Sequence, residues 1–238
     1  MPEAPDSLPA LEPTKVDFYF DVLCPFAWRT SLWIREVARQ RAIAVTWKQF
    51  SLAIANQADP EGSFARKDLT LGRLAIAAER LGGNAAVDRL YLALGDAIHG
   101  QQLDPLDDAV LENVLTTVGL PPELREIVLA DETTERDYRA EHEEAAAKGG
   151  FGVPLLVFEG AQSAYFGPVI EPIPTGQSAL ELWDFTRWAA QQPYLWELKR
   201  QRTGKLGPQS ATVSPETYSS PAGEGSVDAC AWVPGQRP

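Results

Sequence analysis

The chain has 238 residues, 45% of them hydrophobic, which is enough for one good-sized domain, or a domain with an inserted subdomain, to fold around its own core. Lys plus Arg number 21 against 33 Asp plus Glu, a formal charge of −12. No basic cluster interleaved with aromatics interrupts that balance, which argues against nucleic-acid binding, because neutralising phosphates needs a positive face.

The opening stretch, MPEAPDSLPALEPTK, is acidic and broken by proline, without the basic and apolar regions of a signal peptide, and nowhere do about 18 apolar residues run together. The expectation is a soluble cytoplasmic protein whose residues 1–14 are disordered. From residue 15 the pattern becomes that of a strand: Val16, Phe18 and Phe20 fall on one side and Tyr19 on the other, apolar enough to be buried on both faces. Then the period changes. Between Pro25 and Arg41 the apolar residues Trp28, Leu32, Trp33, Val37 and Ala38 recur at helical spacing, and a proline in the first turn costs that helix no hydrogen bond. IAVTWKQFSL at 43–52 returns to strand chemistry. The unit is β-α-β, with Cys24 at the strand-to-helix junction.

The next ninety or so residues read as about four or five helices. Leu71, Leu74, Ala75, Ala78 and Leu81 make one apolar stripe; Val87, Leu90, Tyr91, Leu94 and Ile98 a second; Val110, Leu111, Val114, Leu115 and Val118 a third. Breakers separate them: GGN at 82–84, GQQLDP at 100–105 and GLPP at 119–122. A short helix follows Pro122, and TTERDYRAEHEEAAAK places Tyr138, His142 and Ala146 on one face. Its acidic run reads as a solvated face, with Glu135, Arg139 and Glu143 spaced for i, i+4 support. Strand character resumes at PLLVFEG, 154–160, and SAYF, 163–166, around an EGAQ turn. A last helix runs from Ser178 to Ala190. From Gly207 onward the sequence turns to Gly, Pro and Ser without periodicity, and disorder is expected. The expected organisation is therefore 15–60 and 151–206 as two halves of one α/β domain, 61–150 as a helical insertion, and 207–238 as a tail.

The chemistry-bearing residues are few. The two cysteines, Cys24 and Cys230, lie at opposite ends of the chain, and the two histidines are His99 and His142. That set matches no metal spacing, and no Gly-rich phosphate loop is present. No Ser-His-Asp arrangement can be argued from histidines in these contexts. Cys24 at the first turn of a helix faces unpaired backbone N–H groups and the positive end of the macrodipole, which favour thiolate; the alternative is a buried, inert cysteine. His99, ending a helix before Gly100, either stabilises that C-terminus or reaches Cys24 as a proton donor, and His142 is either a solvated surface residue or a second such donor. Asn56 either contacts a ligand or caps its turn. Phe26 and Trp28 either wall a cleft for a planar substrate or, for Trp28 especially, belong to the core.

Taken together, DFYFDVLCPFAW followed by a helix, the helical insertion, GVP at 152–154 and YFGPV at 165–169 resemble the DsbA-like proteins, an α/β thioredoxin-like fold with a large helical insertion. SLAIAN at 51–56, IHGQ at 98–101 and LWD at 182–184 are similar to its cytoplasmic actinobacterial branch, which works with mycothiol and includes a nitroreductase-like member. The resemblance implies that Cys24 is the reactive thiol and that the Val153–Pro154 bond is cis and packed beside it, leaving Val153 to pair with an incoming thiol. Pro25 and a partly exposed Phe26 would complete the contact surface. It also implies a second cysteine two residues after Pro25, where this chain has Ala27. One thiol forms a mixed disulfide but cannot release it by internal attack.

Three functions follow. The first is a monothiol oxidoreductase or thiol transferase, with Cys24 acting on a small organic substrate or mixed disulfide and a second mycothiol-like or glutathione-like molecule resolving the adduct. It needs no tightly bound cofactor. The second is a non-redox tailoring enzyme of secondary metabolism, resembling kappa-class glutathione transferases and chromene-carboxylate isomerases and taking a planar polyketide-like substrate. The third is a thioredoxin-like binding module without catalysis. Small molecules are the expected partners, with neither nucleic acid nor membrane, for a monomer or homodimer. Cys230, on its tail, is a candidate distant resolving thiol.

Overall fold

In the computed structural model, residues 13–161, 163–202 and 206–212 are described. The strand β1 (Thr14–Phe20) leads into helix α1 (Pro25–Ala38) and returns as β2 (Ile43–Gln49), parallel to β1 with Phe18 opposite Trp47. After the helical insertion, β3 (Leu155–Phe158) pairs antiparallel with the other side of β1, and β4 (Tyr165–Phe166) pairs antiparallel with β3. The order β2-β1-β3-β4 puts β1 inside the sheet, which is why FYF can be apolar at consecutive positions: Phe18, Tyr19 and Phe20 are all fully buried. Helix α7 (Gly176–Ala190) packs on α1 and β3, with Trp183 lying 5.9 Å from Trp33 and 5.4 Å from Phe158, ring to ring. The protein has the α/β thioredoxin-like architecture expected from its sequence. The second hairpin strand is shorter than expected, only Tyr165 and Phe166 pairing with β3.

The insertion comprises α2 (Leu52–Ala55), the long α3 (Ser63–Gly95), α4 (Asp108–Thr117), α5 (Leu124–Ala130) and α6 (Glu132–Ala147). GGN does not separate two helices here but kinks one: Gly82 leaves helical geometry, and Gly83 adopts φ +63°, a conformation that glycine alone takes without strain. The kink presents Asn84 to the sheet. Its Oδ1 accepts from the Trp47 amide and its Nδ2 donates to the Trp47 carbonyl, both at 2.8 Å. Two positions along, the Gln49 amide donates to Glu141 of α6 at 2.7 Å. The outer edge of β2, an unpaired strand edge by topology, is thus covered by side chains of the insertion. Burial pushes the Glu141 carboxyl up to about 7.

Candidate active site

The turn between β1 and α1 is built by Asp21. Its Oδ1 accepts from the Leu23 amide at 2.8 Å and its carbonyl accepts from the Cys24 amide at 3.0 Å, a side-chain turn of the kind aspartate favours. Cys24 then occupies the N-cap of α1, with Pro25 at the first helical position. In the place where a serine or aspartate oxygen would accept from the third helical amide, the sulfur does so: the Ala27 N–H points at Sγ from 3.5 Å. The thiol also approaches the Val153 carbonyl at 3.6 Å, the S–H donating. The amide and the helix end favour a negative sulfur, while full burial and the facing Val153 carbonyl oppose it.

The Val153–Pro154 peptide is cis, at the entrance to β3, and its Val153 carbonyl is the group facing Sγ. Residues 129 apart in sequence therefore meet here, the juxtaposition the family resemblance implied. Two more cis prolines follow β4, at Gly167–Pro168 and Glu171–Pro172. Thr30 of α1 donates to the Pro168 carbonyl at 2.7 Å, and Arg29, itself almost wholly buried, pairs with Glu171, so α1 holds this loop beside the cysteine.

Several expectations change. Phe26 is only 3% exposed rather than partly open, although it lines a cleft, and Cys24 is 0% exposed. Trp28 is core: its ring stands edge-on to Tyr91, and a Cβ on Gly95 would lie 2.3 Å from it. It lies fully buried behind the site. The proton-donor reading of His99 is corrected. Its Nε2 lies 2.9 Å from the Val22 carbonyl, which can only accept, so Nε2 carries a proton committed to the turn before Cys24. Burial, with Arg29 adding to it, holds the imidazole down at about 4, and a neutral ring with its N–H engaged cannot donate at neutral pH. His142 is buried, not solvated; its Nδ1 accepts from the Ser51 amide at 3.2 Å and its ring lies 4.5 Å from Phe50. Asn56 stands exposed at the C-terminus of α2, its backbone amide closing that helix on the Leu52 carbonyl at 3.0 Å.

Two features were missed from sequence. Behind the turn, the other oxygen of Asp21 accepts from the Leu52 amide at 3.0 Å, while Asp68 of α3 accepts from Ser51 Oγ at 2.8 Å, Tyr138 OH at 2.6 Å and the Ala53 amide at 3.1 Å. Both aspartates are buried. Burial first, then the Asp68 charge, push the Asp21 carboxyl well above the usual range. An aspartate inside an apolar run next to Cys24 was the available signal. The second feature is the segment 206–212. Expected to be disordered from Gly207, it instead lies across α1 and the π-helical turn Asp96–Gly100. Arg29 donates to the Gly207 carbonyl at 2.6 Å, Trp28 Nε1 to the Gln209 carbonyl at 2.7 Å, the Gln209 amide to the His99 carbonyl at 2.7 Å, and the Ala211 amide to Asp96 at 2.6 Å. Leu206 and Ala211 pack on the core. The rest of the expected tail, with Cys230, and residues 1–12 lie outside the described residues.

No group of three or more potential metal ligands, and no helix long and apolar enough to cross a membrane, occurs among the described residues. The profile of the Rv2466c-like family, described as mycothiol-dependent nitroreductase Rv2466c, matches residues 23–200. An uncharacterized protein of Mycobacterium tuberculosis, Rv2286c, is 37% identical over 197 residues, covering 80% of this chain and 83% of its own. Among solved structures, the probable DsbA oxidoreductase SCO1869 from Streptomyces coelicolor is 20% identical, with a TM-score of 0.52 over 84% of this chain and 99% of that one. A 2-hydroxychromene-2-carboxylate isomerase is 16% identical, with a TM-score of 0.51 over 73% and 94%; at these identities both likenesses concern the fold. With Cys24 capping α1 opposite a cis proline, and with that family match spanning most of its length, the chain belongs to the Rv2466c-like family of thiol-dependent oxidoreductases on a DsbA-like thioredoxin fold.

Proposed function

We propose that this protein is a monothiol oxidoreductase that uses Cys24 and mycothiol to process a mixed disulfide or a related small-molecule adduct. The observation that carries the reading is the sulfur at the N-cap, held between the Ala27 amide and the Val153 carbonyl, with an alanine where a dithiol site would place its second cysteine. In the proposed cycle the Cys24 thiolate attacks the mycothiol sulfur of a mixed disulfide. The S–S bond breaks, and the departing thiolate takes a proton from solvent. The thiolate of a second mycothiol attacks the Cys24 adduct, releasing mycothiol disulfide and restoring the Cys24 thiolate. Overall the substrate is reduced to a thiol and two mycothiols are joined as their disulfide, so electrons balance without a second protein sulfur. Pro25, Phe26, Val153 and Pro154 form the contact surface in this reading, and Trp28 and His99 support it from behind. The cycle requires a pool of reduced mycothiol, which a reducing cytoplasm supplies.

The test is intact-mass analysis after exposure to a mycothiol mixed disulfide. With Cys230 replaced by Ser in both proteins, the Cys24 form is expected to gain one mycothiol, lost again on adding reduced mycothiol, and Cys24→Ser to gain none and turn nothing over. Full turnover by Cys24→Ser would overturn the proposal.

A further inference from the structure

The segment 206–212 lies beyond residue 200, where the family match ends, yet it is bonded to both sides of the cysteine turn. The peptide of Gln209 is the link. Its amide donates to the His99 carbonyl and its carbonyl accepts from Trp28 Nε1, both at 2.7 Å. His99 carries the chain of bonds to the residues before the cysteine, its Nε2 donating to the Val22 carbonyl at 2.9 Å. Trp28 carries it to the residues after, its own amide donating to the Cys24 carbonyl at 3.0 Å. Val22 and Trp28, which flank the sulfur, are thus tied together through a peptide 181 positions further along the chain than Trp28.

A second arm runs through Arg29. Its side chain is only 2% exposed, and a cation buried to that degree needs acceptors around it. It pairs with Glu171, donates to the Pro25 carbonyl at 3.4 Å and completes its set on the Gly207 carbonyl at 2.6 Å. Glu171 belongs to the loop that Thr30 also holds through the Pro168 carbonyl, so the segment, the first two turns of α1 and the loop after β4 are joined at one guanidinium. The far end of the segment is pinned by Asp96, whose Oδ1 accepts from the Ala211 amide at 2.6 Å. Thiol hydrogen bonds are weak. Contacts of 3.5 Å to the Ala27 amide and 3.6 Å to the Val153 carbonyl therefore leave the place of Sγ to be set by the backbone on either side of it, and that backbone is what the segment holds.

We propose that residues 206–212 are a positioning strap for Cys24, aligning the sulfur for in-line attack on a disulfide by tying the Val22 turn to Trp28 through the Gln209 peptide. This deepens the proposed function, and rests on that reading only for the nucleophilic role of Cys24. The test compares two probes on the full chain, with Cys230→Ser in every protein. One is 2-hydroxyethyl disulfide, whose two sulfurs must come into line with Sγ for the S–S bond to break; the other is iodoacetamide, a small electrophile that meets the sulfur from any open side. Both need the thiolate, so a change in ionisation or in the folded fraction moves the two rates together, whereas misalignment lowers the disulfide rate alone. Asp96→Ala removes the acceptor of the Ala211 amide, and Gln209→Pro deletes the N–H that the His99 carbonyl receives. Each is expected to lower the ratio of disulfide rate to alkylation rate about tenfold, within the roughly 100-fold cost of a misplacement of about 1 Å. Asp96→Asn keeps a side-chain acceptor and should restore the wild-type ratio. Hydrogen exchange at the Cys24 and Trp28 amides should quicken in the first two variants and not in the third. An unchanged ratio, two rates that fall in step, Asp96→Asn behaving as Asp96→Ala, or unchanged exchange would each overturn the proposal. A Cys24 inert to both probes before any strap substitution would sink the proposed function and the positioning role with it, whereas a reactive Cys24 whose ratio the variants leave alone would sink the strap only.

Discussion

Replacing His99 by Gln probes whether the imidazole is held neutral behind the cysteine turn. Glutamine keeps an N–H for the Val22 carbonyl but has no proton to gain. Moving the ring from its ordinary 6.5 down to about 4 makes it a pH-dependent contributor to stability. At about 1.4 kcal/mol for each tenfold change in proton affinity, the amount is about 3 kcal/mol. The sign follows from which state binds the proton. Below pH 6.5 the unfolded chain protonates His99 and the folded chain does not, so the unfolded state gains. The stability supplied by the neutral ring is complete above pH 6.5 and declines as pH falls, until the folded ring itself takes a proton near pH 4. Glu141, pushed up to about 7, titrates in the same range, so the quantity to measure is the difference between the two proteins. Urea unfolding followed by circular dichroism across pH 4 to 8 should show wild type ahead of His99→Gln at pH 8, where the ring still stacks on Trp28, and that lead shrinking by about 3 kcal/mol towards pH 4. A difference that does not change with pH would mean that His99 is either already charged or exposed, and the buried neutral ring would have to be abandoned.

Two further outcomes are expected from the same geometry. Ala27→Cys should let the protein clear its own adduct: after reaction with a mixed disulfide the variant is expected to shed the bound thiol and close a disulfide between Cys24 and the introduced thiol, seen as loss of the adduct mass without added thiol, and a persistent adduct would count against the one-sulfur mechanism. Gly100→Ala places a Cβ 2.8 Å from Ser210 Cα and 3.0 Å from Asp96 Oδ1, so the 206–212 segment must lift, at a cost of about 1–3 kcal/mol. Faster hydrogen exchange at the Gln209 and Ala211 amides is the readout, and unchanged exchange would mean that the segment is not held through these bonds.

The site was legible where its determinants are local. A strand pattern ending at Phe20, a proline after Cys24 and a helical period from Trp28 are enough to put the sulfur on a helix N-terminus, because capping and φ restriction act over a few residues. The meeting of Cys24 with the Val153–Pro154 peptide was implied only by the family resemblance, since the contact with Val153 spans 129 positions. Trp28 was ambiguous for a physical reason: an aromatic one turn into a helix points to a cleft or to the core depending on what lies opposite, and Gly95 and Tyr91 lie opposite. His99 was misjudged because no local pattern tells how far a ring will be desolvated; its partner, Val22, is 77 positions away.

The composition after Gly207 signals an inability to fold alone, and that inference is sound for an isolated segment. Residues 206–212 take their place on the domain through what it supplies, the buried Arg29 guanidinium, an indole N–H and a helix-end carbonyl. The α/β fold, the helical insertion and the cysteine at the start of α1 were thus written in the chain, all set by periodicity and capping within short windows. Packing in three dimensions alone established which groups meet across long separations: Asn84 on the β2 edge, Asp21 and Asp68 on the amides that open α2, and the strap over Trp28. Those depend on where close packing brings distant segments together, and no spacing along the chain records it.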